Sequence, residues 1–414
     1  MNGLDEERVL GDLRKLATFG KVGRGVNRPA LSDADIAGRE WLRNRMSECG
    51  LDSMIDGVGT VFGRSPGVKA TILLGSHSDS VPTGGWLDGA LGVIFALEAV
   101  RVRQVSHAPA VVGVDFVSFS DEEGTFLPCM GSRAFCGLVS QDELACARNS
   151  SGEFLLGRLE ALGLAQLERA QFDPARHRAY LEAHIEQGPK LTNEGVDIGV
   201  VTGIVGLRRF RVRFQGRADH AGTTPMALRR DAAAAMYSFA VLVPERIRAA
   251  GGPDSVWNLG VVSVKPGAAN VVASESELVV EFRDLSLATL DRMEEAFVAL
   301  VTERNKVGGV SLDARPIGAV EPMVMDERLV ERLDAAAAAE GASRVRMPSG
   351  AGHDAMIIAR RAPAAMLFVP SIGGRSHDIT EDTDEADIRR GLRVYARAVN
   401  SLLESLGPDG TGAL

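Results

Sequence analysis

The stretch Ala70-Thr-Ile-Leu-Leu-Gly-Ser-His77-Ser-Asp79-Ser-Val-Pro-Thr-Gly-Gly-Trp-Leu-Asp88-Gly-Ala-Leu91 decides the architecture. Its short apolar start, running into small and polar residues, reads as a buried strand that stops at a surface. A Gly84-Gly85 loop follows, and then an apolar segment from about Leu91 to Arg103 that reads as a helix. The same alternation recurs on both sides. Ser32 is placed to cap a helix that ends near Cys49-Gly50. Val111 to Ser118 and Ala364 to Val369 are further short apolar strands. Strands alternating with helices predict an α/β, doubly wound sheet with helices on both faces. In that architecture ligands gather outside the carboxyl ends of the strands.

Residues 206–320 follow another rule. Phe210-Arg-Val-Arg-Phe and Glu277-Leu-Val-Val-Glu-Phe-Arg alternate apolar with polar residues, as half-exposed antiparallel strands do. A third strand, Val256 to Val264, and two helix-like stretches lie in the same region. The expectation is an α+β domain at 206–320 inserted into a first domain made of 1–205 and 321–414. The tail from Gly407 is rich in Gly and is expected to fray.

With 414 residues, 45% of them hydrophobic, the chain can bury more than one core. A formal charge of -9 disfavours nucleic acid and anionic membrane, which need a basic face, so the expected partner is a small molecule. No apolar run approaches the roughly 20 residues that span a bilayer. The start Met-Asn-Gly-Leu-Asp-Glu-Glu-Arg lacks a basic segment followed by an apolar one, and the four cysteines show no CxxC spacing. A cytoplasmic protein with free thiols is expected.

Of seven histidines, His77, His184, His220, His353 and His377 lie in Gly-, Ser-, Asp- or Glu-rich segments beside expected strand ends. Any one of them alone reads as an ordinary hydrogen-bonded histidine. In the first segment Asp79 is placed to accept the second N–H of His77, which fixes the tautomer and makes the ring a better ligand. Asp88 at a helix start is by itself a cap, but beside a His-x-Asp strand end its two oxygens can serve two cations. Val114-Asp-Phe-Val-Ser-Phe-Ser runs into Asp121-Glu122-Glu123-Gly124. Adjacent carboxylates suit a solvated turn, or else a site where one coordinates and its neighbour takes a proton from water. His184 in Leu181-Glu-Ala-His-Ile-Glu-Gln187-Gly-Pro and His377 in Gly373-Gly-Arg-Ser-His-Asp-Ile-Thr-Glu381 complete the set. Three imidazoles and two carboxylates without a thiolate suit Zn²⁺, Mn²⁺ or a similar ion.

The ordered series GSHSDSVPTGGWLDGALGV, DEEG, HIEQGP, GRADHAGTTPM, PGAANVV, EFRD, SGAGHDA and GGRSH resembles the carbamoylase/allantoate amidohydrolase family, from about residue 75 to 381. That family includes N-carbamoyl-L-amino acid hydrolases and β-ureidopropionases. The resemblance implies one cation on His77, Asp88 and His184, a second on Asp88, Glu123 and His377, and Glu122 as general base. It further implies that Gln187, His220, Asn270 and Arg283 hold substrate, with Arg283 facing a carboxylate and His220 stabilising an oxyanion. The implied reaction is hydrolysis of an N-carbamoyl-L-amino acid or a ureido acid such as allantoate, with release of ammonia. The inserted domain is implied to make a homodimer contact, with its histidine reaching the partner's site. One departure stands out: Asp378-Ile379 follows His377 where the family has Ser-Pro, which puts a negative charge near the mouth of the site. The rival readings are a dinuclear peptidase or aminoacylase, and a metal-binding scaffold without turnover. The scaffold has no use for Glu122.

Overall fold

A computed structural model describes residues 3–105 and 112–407. The expected fraying tail therefore lies, beyond Gly407, outside the described residues. The chain divides into two compact units, Met1–Thr202 with Met325–Leu414, and Gly203–Val324.

The sheet of the first unit has a parallel centre. Ala364–Val369, His177–Ile185, Ala70–His77 and Val112–Phe119 lie side by side in that order and run the same way. Antiparallel strands flank them: Ile198–Ile204 beside Ala364–Val369, and Val61–Arg64 then Asp52–Ile55 on the other side. Every residue of Ala70–His77 and Val112–Phe119 is buried, which explains why both read as continuous apolar runs. Two separate groups of helices pack on these strands. Ala90–Val105 and Glu385–Ser405 touch each other, as do Met130–Phe135 and Asp354–Ile358. The mixed α/β class expected from the sequence is the one observed.

Local signals account for the elements. Ser32 caps Asp33–Glu48 by accepting from the Asp35 N–H. The strand starting at Ala70 extends two residues further than its apolar run, to His77, because Ser76 Oγ finds a buried partner in Glu182 Oε1 at 2.6 Å.

The second unit is an antiparallel sheet in the order Val256–Lys265, Glu275–Asp284, Gly206–Gln215, Ser311–Val320. Gly206–Gln215 and Glu275–Asp284 bury alternate residues, and Phe210, Phe214 and Phe282 pack with Phe239 and Phe297. The last two come from helices Ala232–Ala250 and Leu287–Val307. The strand Ser311–Val320 is not legible as one, because Pro316 and Gly318 interrupt its pattern. Its register slips there, and only an edge position tolerates a proline in a ladder.

Candidate metal centre

The parallel strands deliver their polar ends to one place. His77 ends its strand, and Gly89 lies against it with φ +65, where a Cβ would stand 2.5 Å from the imidazole. Only glycine lets the Asp88 turn approach so closely. The turn is pinned from below by buried Glu381, which accepts the N–H of Leu87 at 3.2 Å and of Asp88 at 3.1 Å. Glu381 also accepts from Ser376 Oγ at 2.9 Å, so one carboxylate ties the Asp88 turn to the segment bearing His377.

Two trios of donor atoms result. His77, Asp88 and His184 form one, Asp88, Glu123 and His377 the other, with the ligand atoms of each within 4.8 Å of one another. Asp88 belongs to both: Oδ1 is 3.7 Å from His77 Nε2 and 3.2 Å from His184 Nε2, while Oδ2 is 3.3 Å from His377 Nε2. Glu123 Oε2 is 3.5 Å from the same His377 nitrogen. A third trio, Glu182, His184 and His353, adjoins the first. His353 itself turns Nε2 to Ser349 Oγ at 2.9 Å.

The imidazoles are oriented through their other nitrogen. His77 Nδ1 meets the backbone carbonyl of Asp79 at 3.1 Å, and His184 Nδ1 that of Ile185 at 3.0 Å. A carbonyl only accepts, so Nδ1 carries a proton, and in the neutral ring Nε2 keeps its lone pair for a cation. This corrects the expected role of the Asp79 side chain. Its Oδ1 is 3.9 Å from His77 Nδ1, and the carboxylate instead takes the Glu123 N–H at 3.3 Å and a guanidinium N–H of Arg39 at 3.4 Å. The physical reason is reach: the turn after His77 brings the carbonyl of Asp79 to the ring and points its side chain into the protein.

The donor set fits divalent cations. Glu123 Oε1 is buried without a hydrogen-bond partner, an unmet demand that a cation answers. Burial, then Asp354 and Glu123, push the Glu122 carboxyl well above its usual range. Burial with Asp88 and Asp79 carries Glu123 to about 9. Asp88 moves the other way: burial alone would raise it, but the contacts with His184 and His377 and the attraction of His184 and His77 together hold its carboxyl well below the usual range. Burial alone lowers the His184 pKa, yet Asp88 and Glu182 raise it to about 9. The centre is thus short of positive charge, which protons supply in the protein alone and two cations supply when bound.

Glu122 stands over the first trio, with Oε2 3.7 Å from His77 Nε2. Its other oxygen faces the Cys129 thiol at 3.7 Å, a neighbour no sequence signal announces. Gln187 donates to Asp88 Oδ2 at 3.0 Å and to Ser376 Oγ at 3.1 Å, and its own Oε1 is buried without a partner. Four non-glycine residues around the centre, Asp121, Cys129, Gln187 and His377, hold positive φ. Such conformations cluster where function fixes the backbone. The Asp378 carboxylate is engaged locally. Its Oδ1 accepts both the N–H and the hydroxyl of Thr380 and closes its own turn.

His220, Asn270 and Arg283 belong to the second unit. His220 is exposed, and Nδ1 accepts from the N–H of Gly222 at 3.0 Å and of Thr223 at 3.2 Å, so its proton sits on Nε2. Asp219, which could have held the ring, pairs instead with Arg217 at 2.9 Å. Asn270 lies on the adjoining turn, its carbonyl accepting the Ala221 N–H at 3.0 Å. Arg283 donates to Glu281 at 2.7 Å.

An α/β sheet with paired His/Asp/Glu trios at its strand ends defines a metallohydrolase-like protein. A model of the peptidase family M20/M25/M40 matches residues 73–401. An N-carbamoyl-L-amino-acid amidohydrolase of Paenarthrobacter aurescens is 36% identical over 405 residues, covering 96% of this chain and 98% of that protein. An allantoate amidohydrolase of Bacillus subtilis is 34% identical over 383 residues, covering 89% and 91%. The crystal structure of an amidase of the hydantoinase/carbamoylase family from Burkholderia phymatum has a TM-score of 0.92 and 46% identity, over 97% of this chain and 98% of that one. The chain belongs to the M20/M25/M40 family, within its carbamoylase and allantoate amidohydrolase relatives, and is a metal-dependent hydrolase.

Proposed function

We propose that the protein is a two-metal amidohydrolase that cleaves the carbamoyl or ureido amide of a small carboxylate-bearing substrate, an N-carbamoyl-L-amino acid or an allantoate-like ureido acid, and releases ammonia. The observation that carries this reading is Asp88 shared between two donor trios with Glu122 beside them. The names of its relatives supply the substrate class. His77, Asp88 and His184 hold one ion and Asp88, Glu123 and His377 the other. Zn²⁺ and Mn²⁺ suit such nitrogen and oxygen donors. Bound there, the ions supply Lewis acidity to the scissile carbonyl and lower the pKa of water.

The chain's own residues move the protons and hold the substrate. Glu122 takes a proton from the attacking water and returns it to the leaving nitrogen, a task that suits a carboxyl raised by burial. Ammonia leaves, and the carbamate left on a terminal carbamoyl group loses CO₂. Gln187 and Asn270 offer amides to the substrate. Arg283 takes its carboxylate through a planar fork, in exchange for its contact with Glu281. His220 presents Nε2–H to the developing oxyanion. The protein works as a homodimer in which His220 of one protomer completes the centre of the other. Exposed Val256, Val261 and Val262 along an edge strand of the second unit support a contact between copies. No helix among the described residues is long and apolar enough to cross a membrane, and all four cysteines are free, in keeping with a cytoplasmic location.

The test is an ammonia-release screen of metal-loaded protein against N-carbamoyl amino acids, N-carbamoyl-β-alanine, allantoate and ureidoglycolate. Turnover of at least one is expected. Release of an amino acid from acylated or peptide substrates, with no ammonia from any ureido acid, refutes the assignment in favour of an aminoacylase or peptidase.

A further inference from the structure

Two guanidiniums are buried behind the strand ends that bear the donors, Arg39 holding the Asp79 carboxylate and Arg28 the residues on either side of Asp79. Arg39, on the helix Asp33–Glu48, has no exposed side-chain surface. Its Nε donates to Asp35 Oδ2 at 2.7 Å, Nη1 to the carbonyls of Gly59, Ser118 and Phe119 at 3.0, 3.2 and 3.2 Å, and Nη2 to Asp79 Oδ1 at 3.4 Å. Ser118 and Phe119 end the strand that runs into Glu122 and Glu123. Arg28 grips the other side of the same turn: Nε donates to the Ser78 carbonyl at 2.6 Å, and its backbone N–H to Ser80 Oγ at 3.0 Å. Asp79 Oδ2 then accepts the Glu123 N–H at 3.3 Å, while its carbonyl orients His77. One residue therefore links the two trios, its backbone carbonyl holding the His77 ring and its carboxylate the Glu123 N–H, and Arg39 fixes that carboxylate to the strand end of the second.

Burying a guanidinium is costly, and a well-packed apolar residue serves stability as well or better. A charge that reaches three segments at set distances serves geometry. We propose that Arg39 is a positioning residue for the metal centre, acting through Asp79 to keep the His77 strand end and the Glu123 backbone at a fixed separation. The inference rests on the donor assignment above. Lysine keeps the charge of Arg39 but cannot span Asp35, the carbonyls and Asp79 together.

Cation binding, read by competition with a chromogenic chelator using Zn²⁺ and Mn²⁺ as probes, tests this without reference to turnover. Arg39→Lys and Asp79→Asn are each expected to weaken both sites by about 10–100-fold, the usual effect of removing a partner behind metal ligands. The double variant is expected to lose no more than the worse single one, because the two act in series. Asp35→Asn leaves the Arg39–Asp79 contact in place and is expected to change both affinities less than about threefold. Additive losses, or a folded Arg39→Lys that binds both ions normally and has only a lower Tm, overturn the proposal. Should Arg39→Lys fail to fold, Asp79→Asn against Asp35→Asn decides: equal losses in the two overturn it, and a loss confined to Asp79→Asn supports it. Wild-type protein that binds no cation refutes the donor assignment itself, whereas normal wild-type binding with an unaffected Arg39→Lys refutes only the positioning role.

Discussion

The candidate residues of the two units are held in opposite ways. On the first unit His77, Asp88 and His184 are buried, each imidazole is fixed by a backbone carbonyl, and Asp88 is pinned through its N–H by Glu381. On the second unit His220 and Asn270 are exposed on neighbouring turns, and Arg283 is half-buried beside Glu281. Groups that hold an ion must be in place before it arrives, since every rotamer left free is entropy lost on binding. Groups that handle a substrate must stay open to it. His377 falls between the two cases, with its side chain 51% exposed and its φ positive.

The largest expected effect separates proton transfer from ion holding within the first unit. Glu122→Gln keeps the size of the side chain and removes the base, so turnover should fall about 10³-fold or more, roughly 4 kcal/mol of barrier. Both ions should remain, because Glu122 belongs to neither trio that shares Asp88. Elemental analysis beside the rate measurement checks this. Near wild-type rates at full metal content exclude Glu122 as the base.

A smaller effect grades the donors by burial. His184→Ala removes a fully buried ligand whose neighbours cannot rearrange, and it should empty the first site. His377→Ala removes an exposed one and should leave about one equivalent of ion bound, held by His77, Asp88 and His184. Loss of both ions from His377→Ala breaks the distinction between a buried and an exposed half of the centre.

These contrasts also mark how far the sequence could be read. The strands ending at His77 and Phe119 are legible because an apolar run gives way to polar residues at one point, and Asp33–Glu48 because Ser32 caps it. Spacing alone does not reveal which donors meet. Glu381 and Asp88 are 293 residues apart in sequence and share a hydrogen bond, and only the motif resemblance implies the trios. Arg39 looks like any arginine on an amphipathic helix, because nothing local records that its partners are strand ends elsewhere in the chain. The Asp79 side chain is misread for a related reason: whether a carboxylate or its own carbonyl reaches a ring depends on the turn, and residue types do not specify it.

The last contrast concerns whether the second unit serves its own chain. If His220 acts across a C₂ dimer, a protomer lacking Glu122 function still carries a usable His220, and a protomer lacking His220 still carries a usable base. Co-refolding equal amounts of Glu122→Gln and His220→Ala, each inactive alone, gives about half mixed dimers. Each mixed dimer holds one complete site of two, so activity should return to about a quarter of wild type. The recovered activity should also scale with the fraction of mixed dimers when the input ratio is varied, which contamination by either parent cannot imitate. If the mixture stays inactive while both variants are dimeric and metal-loaded, His220 serves its own protomer or is structural. The exposed turn that carries it would then need another explanation.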